Sequence, residues 1–394
     1  MKGWRGVEPR TRRHIVYVTA ADPDRSVVAS VPGLWLAKNG YRVHFVIPGD
    51  PSNATLSTPY VSAPAYHVRL GGMAGLGRFV KTLLRARLRF GSGAVYWITG
   101  CVSALAASFA LAGMSRKRII YYNCDFLEPG RHPFFEYFER SFARGAGSVA
   151  SNEPNRARCM ASIYGLSSVP VVLESRLPAE WPFPDYNPVE RTRLLSMIGL
   201  SDSEDVRLIV AGGGFSRLRC SEELLSALRD LPETYILVFS GMPSHDESSC
   251  EGRVMISRLG LTRRVVCLPY LPREDLIRTF AASDIGMLLY RNDGIGNYYQ
   301  GPGRLTEYIG SGIPYVASDF PGLRTVTLEH SLGALCKAES ATDIAAAILL
   351  LGQKNSSERM QERQRLRRAF RKELSFDRQA SRAEELFRQA DKDD

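Results

Sequence analysis

The chain is short of several things, and each shortage removes a class of protein. No apolar run approaches the roughly 18 residues of a membrane span, and the opening Met-Lys-Gly-Trp-Arg-Gly leads into no apolar signal region, so a cytoplasmic location is expected. The seven cysteines (Cys101, Cys124, Cys159, Cys220, Cys250, Cys267, Cys336) are odd in number, widely scattered and never spaced Cys-x-x-Cys. That argues against a disulfide framework and against structural zinc. A Gly-x-Gly-x-x-Gly fingerprint is also missing: after Gly212-Gly213-Gly214, Arg217 stands where the last glycine is needed, and a nicotinamide dinucleotide is disfavoured. The formal charge of +10 favours an anionic partner, but no zinc finger, RNP-like aromatic strand or tandem basic tail is present. No nucleic-acid partner is expected; a phosphorylated small molecule or a membrane surface remains.

What is present is enough for two domains. At 394 residues and 44% hydrophobic content, the chain exceeds what one core usually holds. His14–Thr19 reads as a first strand, Val27–Asn39 as a helix stopped by Gly40, and Tyr41–Ile47 as a second strand, the opening of a doubly wound sheet. Helices over Phe79–Leu88, Val102–Leu111 and Phe134–Ala143 alternate with strands Ala94–Thr99, Arg118–Tyr122 and Ser148–Ser151. A second cycle starts with strand Arg207–Ala211 and helix Glu222–Leu228. It continues with strands Tyr235–Ser240, Arg264–Leu268 and Ile285–Leu289 and helices Gly252–Leu259 and Arg273–Ala282. The proline-rich Pro178–Pro188 between the cycles reads as a linker. Asn355–Asp394 is charged and helical in period, a solvated amphipathic helix pair when read alone.

Three places carry residues suited to chemistry. In Gly294–Val326 a glycine loop opens an amphipathic helix that bears Glu307, ends at Gly310–Gly312 and precedes a buried strand, Tyr315–Ser318. That order aims backbone amides at phosphate and a carboxylate at hydroxyls. Arg304 lies in the helix's first turn, where the dipole disfavours a cation, so an anion nearby is implied. Gly212-Gly213-Gly214, directly after a strand, lets amides approach a phosphate, with Arg217 or Arg219 to neutralise it. Asp22-Pro23-Asp24 admits a metal-bound nucleotide, an Asx turn or an acceptor contact; the turn or contact is preferred and no metal site is assigned. Arg78, Lys81, Arg85, Arg87 and Arg89 interleave with apolar residues, which suits either an anionic bilayer or a core helix with a charged outer face.

Gly294–Val326 resembles the donor-binding signature of retaining GT-B glycosyltransferases of family 4, in the subgroup reading roughly Asn-Tyr-Tyr-x-x-Pro-x-Lys-x-x-Glu-Tyr-x-Ala-x-Gly-x-Pro-Val. The resemblance implies two Rossmann-like domains facing a cleft, an acceptor domain over 1–180, a donor domain over 189–364, and a terminal helix, 365–394, packing back on the first. Glu307 matches the second acid of the family's Glu-x(7)-Glu motif, which holds the nucleotide ribose, while Tyr299 replaces the first. Asn297, Tyr298, Gly301, Gly303 and Leu305 then face the donor, with Arg304 at the motif lysine. Gly213, Gly214 and Arg219, or Arg217 in its place, correspond to the diphosphate clamp, and Tyr270 and Leu271 to the base-reading position. Tyr122-Asn123-Cys124-Asp125-Phe126 replaces a Tyr-Asp-x-His-Glu motif, keeping Asp125 as the acid, with His132 a few residues on. Asp125, His132, Arg219 and Arg304 are thus the catalytic candidates.

The implied reaction moves a sugar from a UDP- or GDP-sugar to an acceptor hydroxyl, with retention and without a metal or other cofactor. The acceptor is a small molecule, a glycan or a lipid-linked compound, and peripheral contact with the inner membrane surface is open. A non-catalytic nucleotide-binding subunit and a nucleotide-sugar epimerase are the alternatives.

Overall fold

The computed structural model describes residues 13–22, 26 and 29–391. The chain divides into two compact units, Met1–Pro182 completed by Ser375–Asp394, and Phe183–Leu374. Pro23 and Asp24 of the Asp-x-Asp segment, and Val27 and Val28 of the first expected helix, lie outside the described residues.

The first unit is built on strands β1 (His14–Thr19), β2 (Arg42–Pro48), β3 (Thr55–Ser57), β4 (Ser62–Val68), β5 (Val95–Thr99), β6 (Ile119–Asn123), β7 (Ser148–Ser151) and β8 (Val171–Val172), in the order β3-β4-β2-β1-β5-β6-β7-β8. All neighbours pair in parallel except β3 and β4. Helices α1 (Val31–Lys38), α2 (Gly72–Phe90), α3 (Cys101–Ala110), α4 (Pro133–Gly145) and α5 (Pro154–Tyr164) form the crossovers. Ile15 to Val18 and Val95 to Ile98 are fully buried, as strands covered on both faces require. Strands β3 and β4 were not expected: Pro64 and the polar Ser62 and His67 give β4 the pattern of a sheet margin rather than an apolar run. Next to it, His14 Nδ1 and His44 Nε2 are 2.8 Å apart and both rings lie against Phe90.

The second unit repeats the plan with α6 (Pro188–Ser196), β9 (Arg207–Gly212), α7 (Ser221–Asp230), β10 (Tyr235–Ser240), α8 (Glu247–Arg258), β11 (Val265–Leu268), α9 (Arg273–Ala282) and β12 (Ile285–Leu288). It continues through α10 (Ile295–Tyr298), α11 (Arg304–Ser311), β13 (Tyr315–Ser318), α12 (Pro321–Glu329), β14 (Gly333–Cys336), α13 (Ala341–Gly352) and α14 (Ser356–Ala369). The sheet order β11-β10-β9-β12-β13-β14 is the doubly wound arrangement in which the winding reverses between β9 and β12. The core joins β9, β10 and β12 to α7 and α13 through Ile209, Leu225, Leu228, Leu237 and Ile348.

Helix α14 stays with this unit because its inner face is committed there. Leu366 and Phe370 are buried, Phe370 packs edge-on against Phe183, and Arg363 Nη1 donates to the Ala281 carbonyl at 3.2 Å. The chain therefore rejoins the first unit at Ser375, ten residues later in the chain than the family resemblance implied. There α15 (Ala380–Asp391) packs Phe387 on Tyr41 and is preceded by Phe376 beside Trp35. Asp377 fastens the return, accepting from Trp35 Nε1 at 3.1 Å and from the Ala179 amide at 2.6 Å.

Candidate functional site

Strands β9 and β12 are neighbours, but the connection after β9 leads to β10 on one side and that after β12 leads to β13 on the other. Loops that part in this way leave a crevice at the carboxyl ends of the strands. Gly212 ends β9, followed by Gly213 and Gly214 at φ +99° and +77°, a backbone only glycine adopts without strain. The amides of Gly213 and Gly214 both donate to the Ser240 carbonyl at the end of β10, at 3.0 and 2.8 Å. They are not directed at a phosphate, which corrects the role expected of them. The glycines supply room instead. The guanidinium of Arg304 occupies the space a Cβ on Gly212 would need, and that of Arg219 would lie 3.0 Å from a Cβ on Gly213.

Helix α11 delivers the acid. Its apolar face is anchored by Tyr308, whose hydroxyl donates to the Val210 and Met287 carbonyls and whose ring fills the space beside Gly286. Anchored there, Glu307 is almost fully enclosed, and one carboxylate oxygen is bound by Arg273. Arg304 Nε stands 3.3 Å from Oε2 as an ion pair, and Arg304 is flanked by the Phe280 ring at 5.6 Å. Burial works to raise the Glu307 carboxyl, but the Arg273 and Arg304 charges outweigh it and hold the group below the usual carboxylate range. Two buried atoms of this cluster, Glu307 Oε2 and Arg304 Nη1, have no hydrogen-bond partner among the described residues. A buried acceptor and a buried donor without hydrogen-bond partners are costly in a protein interior.

The remaining expected donor residues divide. Arg219 joins the cluster, its guanidinium 5.7 Å from the Tyr290 ring and 3.5 Å from the Gly212 carbonyl. Arg217 does not. Its side chain is 78% exposed and bonds Glu222 at 2.9 Å, so of the two candidates only Arg219 faces the crevice. Leu305 is buried, and its side chain belongs to the core rather than to a ligand surface. Asn297 donates to Asp293 at 2.6 Å, and Tyr298 packs between Tyr299 and Phe320. Gly301 and Gly303 lead half-buried into α11, whose first-turn amides of Leu305 and Thr306 close on the Pro302 and Gly303 carbonyls. Tyr270 is exposed, its ring 3.2 Å from where a Cβ on Gly241 would sit, and Leu271 is half-buried beside it.

In the first unit Asp125 and His132 are both exposed, Asp125 just after β6 and His132 at the cap of α4. Buried on α4 lies Glu139, not anticipated from sequence. It accepts from Asn123 Nδ2 at 2.7 Å, Tyr164 at 2.9 Å and Tyr121, and burial pushes its carboxyl upward. Arg273 is the other residue missed. As a cation in the first turn of α9 it carried the same signal as Arg304, a charge the helix dipole disfavours and an acid must compensate. Among the described residues, no group of three His, Cys, Asp or Glu side chains stands close enough to hold a metal, and no helix is long and apolar enough to cross a membrane.

Two doubly wound units, one with arginines and a buried acid at its switch point, describe a GT-B glycosyltransferase fold. Residues 201–372 match the family model described as glycosyl transferases group 1. The match lies within the second unit. The D-inositol 3-phosphate glycosyltransferase of Mycobacterium sp. (strain KMS) is 28% identical over 164 residues, 41% of this chain and 36% of that protein. The protein of that name from Mycobacterium marinum is 25% identical over 267 residues, covering 64% and 53%. The chain thus matches about a third to a half of the length of these curated relatives. Among solved structures, the sucrose-phosphate synthase of Thermosynechococcus elongatus has a TM-score of 0.74 at 16% identity, covering 96% of this chain and 99% of that one. Anabaena HepE in complex with UDP and glucose has a TM-score of 0.71 at 14% identity, covering 95% and 99%. At these identities the likeness is one of fold.

Proposed function

We propose that the protein transfers a glycosyl group from a nucleoside diphosphate sugar, UDP- or GDP-linked, to an acceptor hydroxyl, with retention at the anomeric carbon as the family resemblance implies. The observation that carries this reading is the buried couple at the switch point, Glu307 Oε2 and Arg304 Nη1, neither with a hydrogen-bond partner among the described residues. A ribose hydroxyl donating to Oε2 and a diphosphate oxygen accepting from Nη1 satisfy both at once. Arg219 adds a second cation beside Gly213, and the amides of Gly303 and Arg304 lie ahead of the first intrahelical bonds of α11.

Breaking the bond from the anomeric carbon to the diphosphate leaves an oxocarbenium-like sugar and a leaving group gaining negative charge. Guanidinium groups preset against the leaving oxygens stabilise that charge without reorganising, which is what a divalent cation does elsewhere. The single carboxylate oxygen left on Glu307 makes its grip on the ribose monodentate. Asp125 and His132 are proposed acceptor contacts.

Calorimetric titration with UDP and GDP tests the reading. Arg219→Gln is expected to weaken diphosphate binding about tenfold or more, the worth of a charge-assisted hydrogen bond. Arg217→Gln is expected to change it by less than about twofold, as a solvated pair should. Equal effects, or none, would remove the assignment.

We also propose a contact between the first unit and an anionic bilayer. Helix α2 buries Phe79, Leu83 and Ala86 yet leaves Leu88 85% exposed among Lys81, Arg85 and Arg89. Helix α3 packs against both α2 and α4, and Phe109, Phe134 and Tyr137 add exposed rings. Basic side chains around exposed apolar ones suit a lipid surface.

A further inference from the structure

One cavity shares no side chain with the proposed donor site. It lies within the second unit between Asp185–Pro188 and α14, measures about 620 Å³, and is lined by Ser311, Tyr186 and four arginines, Arg363, Arg367, Arg368 and Arg371, against one acid, Asp185. Two of these arginines are built into the wall. Arg363 donates to the Ala281 and Ser283 carbonyls and lies 4.7 Å from the Tyr186 ring. Arg367 donates to the carbonyls of Phe183 at 2.9 Å and Pro184 at 3.1 Å, and to Asp185 at 2.6 Å.

Carbonyls occupy the donors without cancelling the charge. Asp185 is 96% exposed, so its compensation is weakened by water and salt. Asp284, 3.7 Å from Arg363, is shared with Arg191 at 2.7 Å and Arg359 at 3.7 Å. Arg368 has no ion-pair partner among the described residues, and it and Arg371 are exposed at the same cavity.

Ser311 supplies an independent observation. Ser311 borders the cavity and is 1% exposed, and its Oγ is buried with no hydrogen-bond partner among the described residues. A buried hydroxyl left so is destabilising. A buried hydroxyl without a partner beside an excess of guanidinium groups is a constellation for a phosphoryl group. One force opposes it: Ser311 closes α11, and a helix carboxyl end disfavours an anion. Two charge-assisted hydrogen bonds outweigh that.

We propose that this cavity binds a phosphorylated compound carrying at least two negative charges, with Ser311, Arg368 and Arg371 as its contacts. The volume is within the usual range for small-molecule sites and more than a lone phosphate fills. The ligand is either a soluble organophosphate or a phosphorylated lipid headgroup. The site and the donor cluster sit at opposite ends of α11, about 10 Å apart along its axis, so each can be removed separately.

Inorganic pyrophosphate is titrated by calorimetry into full-length Arg219→Gln protein, in which one proposed donor-site contact is removed and binding there is weakened. The same titration follows with Arg368→Gln/Arg371→Gln or Ser311→Ala added. The arginine pair is expected to weaken binding about tenfold or more, and Ser311→Ala by about threefold. Sedimentation with phosphatidylcholine vesicles, with and without phosphatidylglycerol, separates the sources. Binding to the anionic vesicles that the arginine pair weakens, measured against the residual binding left to α2, identifies a headgroup, whereas pyrophosphate binding that the pair weakens with vesicle binding unchanged identifies a soluble phosphate. Affinities equal in all proteins, or no binding of either probe, overturn the proposal. The exposed Arg368 and Arg371 can be changed without touching the core, so the test survives a misfolded Ser311 variant.

Discussion

Replacing Glu307 by glutamine keeps the shape of the side chain and removes its charge. In the folded protein this leaves Arg273 and Arg304, both largely enclosed, confronting each other without the carboxylate that separates them. Breaking a buried ion pair from one side costs about 3–5 kcal/mol, and the glutamine carbonyl recovers about 1 kcal/mol by accepting from one arginine. The expected loss is therefore about 2–4 kcal/mol in the second unit. For a domain of this size it lowers the melting temperature by roughly 5–15 °C. An internal control exists, because Trp35, Trp97 and Trp181 belong to the first unit and the remaining tryptophan, Trp4, also precedes the second unit in the sequence. Calorimetry or far-ultraviolet circular dichroism should register the shift while the tryptophan fluorescence transition stays in place.

The pH dependence has a defined sign. With the folded carboxyl held below its ordinary value of about 4.3, the stabilisation is complete above that pH and is lost as pH falls through the lower folded value, where wild type and variant converge. Adding Arg273→Met to Glu307→Gln should restore part of the loss, the double variant being less destabilised than the sum by at least about 1 kcal/mol. A shift under about 2 °C, or additive single effects, would refute the cohesive role of the cluster.

Gly212→Ala places a methyl group where the Arg304 guanidinium lies, so UDP or GDP affinity should fall about tenfold or more by calorimetry; an unchanged affinity would separate that packing from binding. In the first unit, burial, then His14 and Arg89, bring His44 down to about 4 from 6.5. The unfolded chain then takes up the proton first, and stability falls as pH drops from about 6.5 to about 4. Linkage sets a ceiling of about 3 kcal/mol, reduced to about 1–2 kcal/mol because the ring is only half-buried. Tryptophan-monitored urea unfolding of wild type and His44→Phe should show the slope in the first and its loss in the second.

The central strands were legible because each is a short continuous apolar run, as in Arg207–Ala211 and Ile285–Leu289, and such runs occur where both faces are covered. The margins were not, since β4 mixes Pro64 and His67 with apolar residues and depends on β2 and β3 for its identity. At the candidate site, Glu307 and Arg304 were marked by local pattern. The Gly213 and Gly214 amides were misread because their acceptor, Ser240, arrives from the next strand, 26 or more residues along the chain. The choice between Arg217 and Arg219 likewise rested on the partner each finds, Glu222 for one and the Tyr290 ring for the other. Arg273 was readable by the helix-dipole argument applied to Arg304; its acid, 34 positions away, was not.

The first unit is discontinuous in the chain, and this sets an order on its birth. A ribosome releases everything needed for Phe183–Leu374 while Trp35 and Tyr41 still lack Phe376 and Phe387, their covering partners. The half begun earliest is thus finished last, carrying an open apolar seam through the synthesis of its neighbour. Nascent protein should consequently be most vulnerable to aggregation and most in need of chaperone shelter along that seam, until the closing helix emerges.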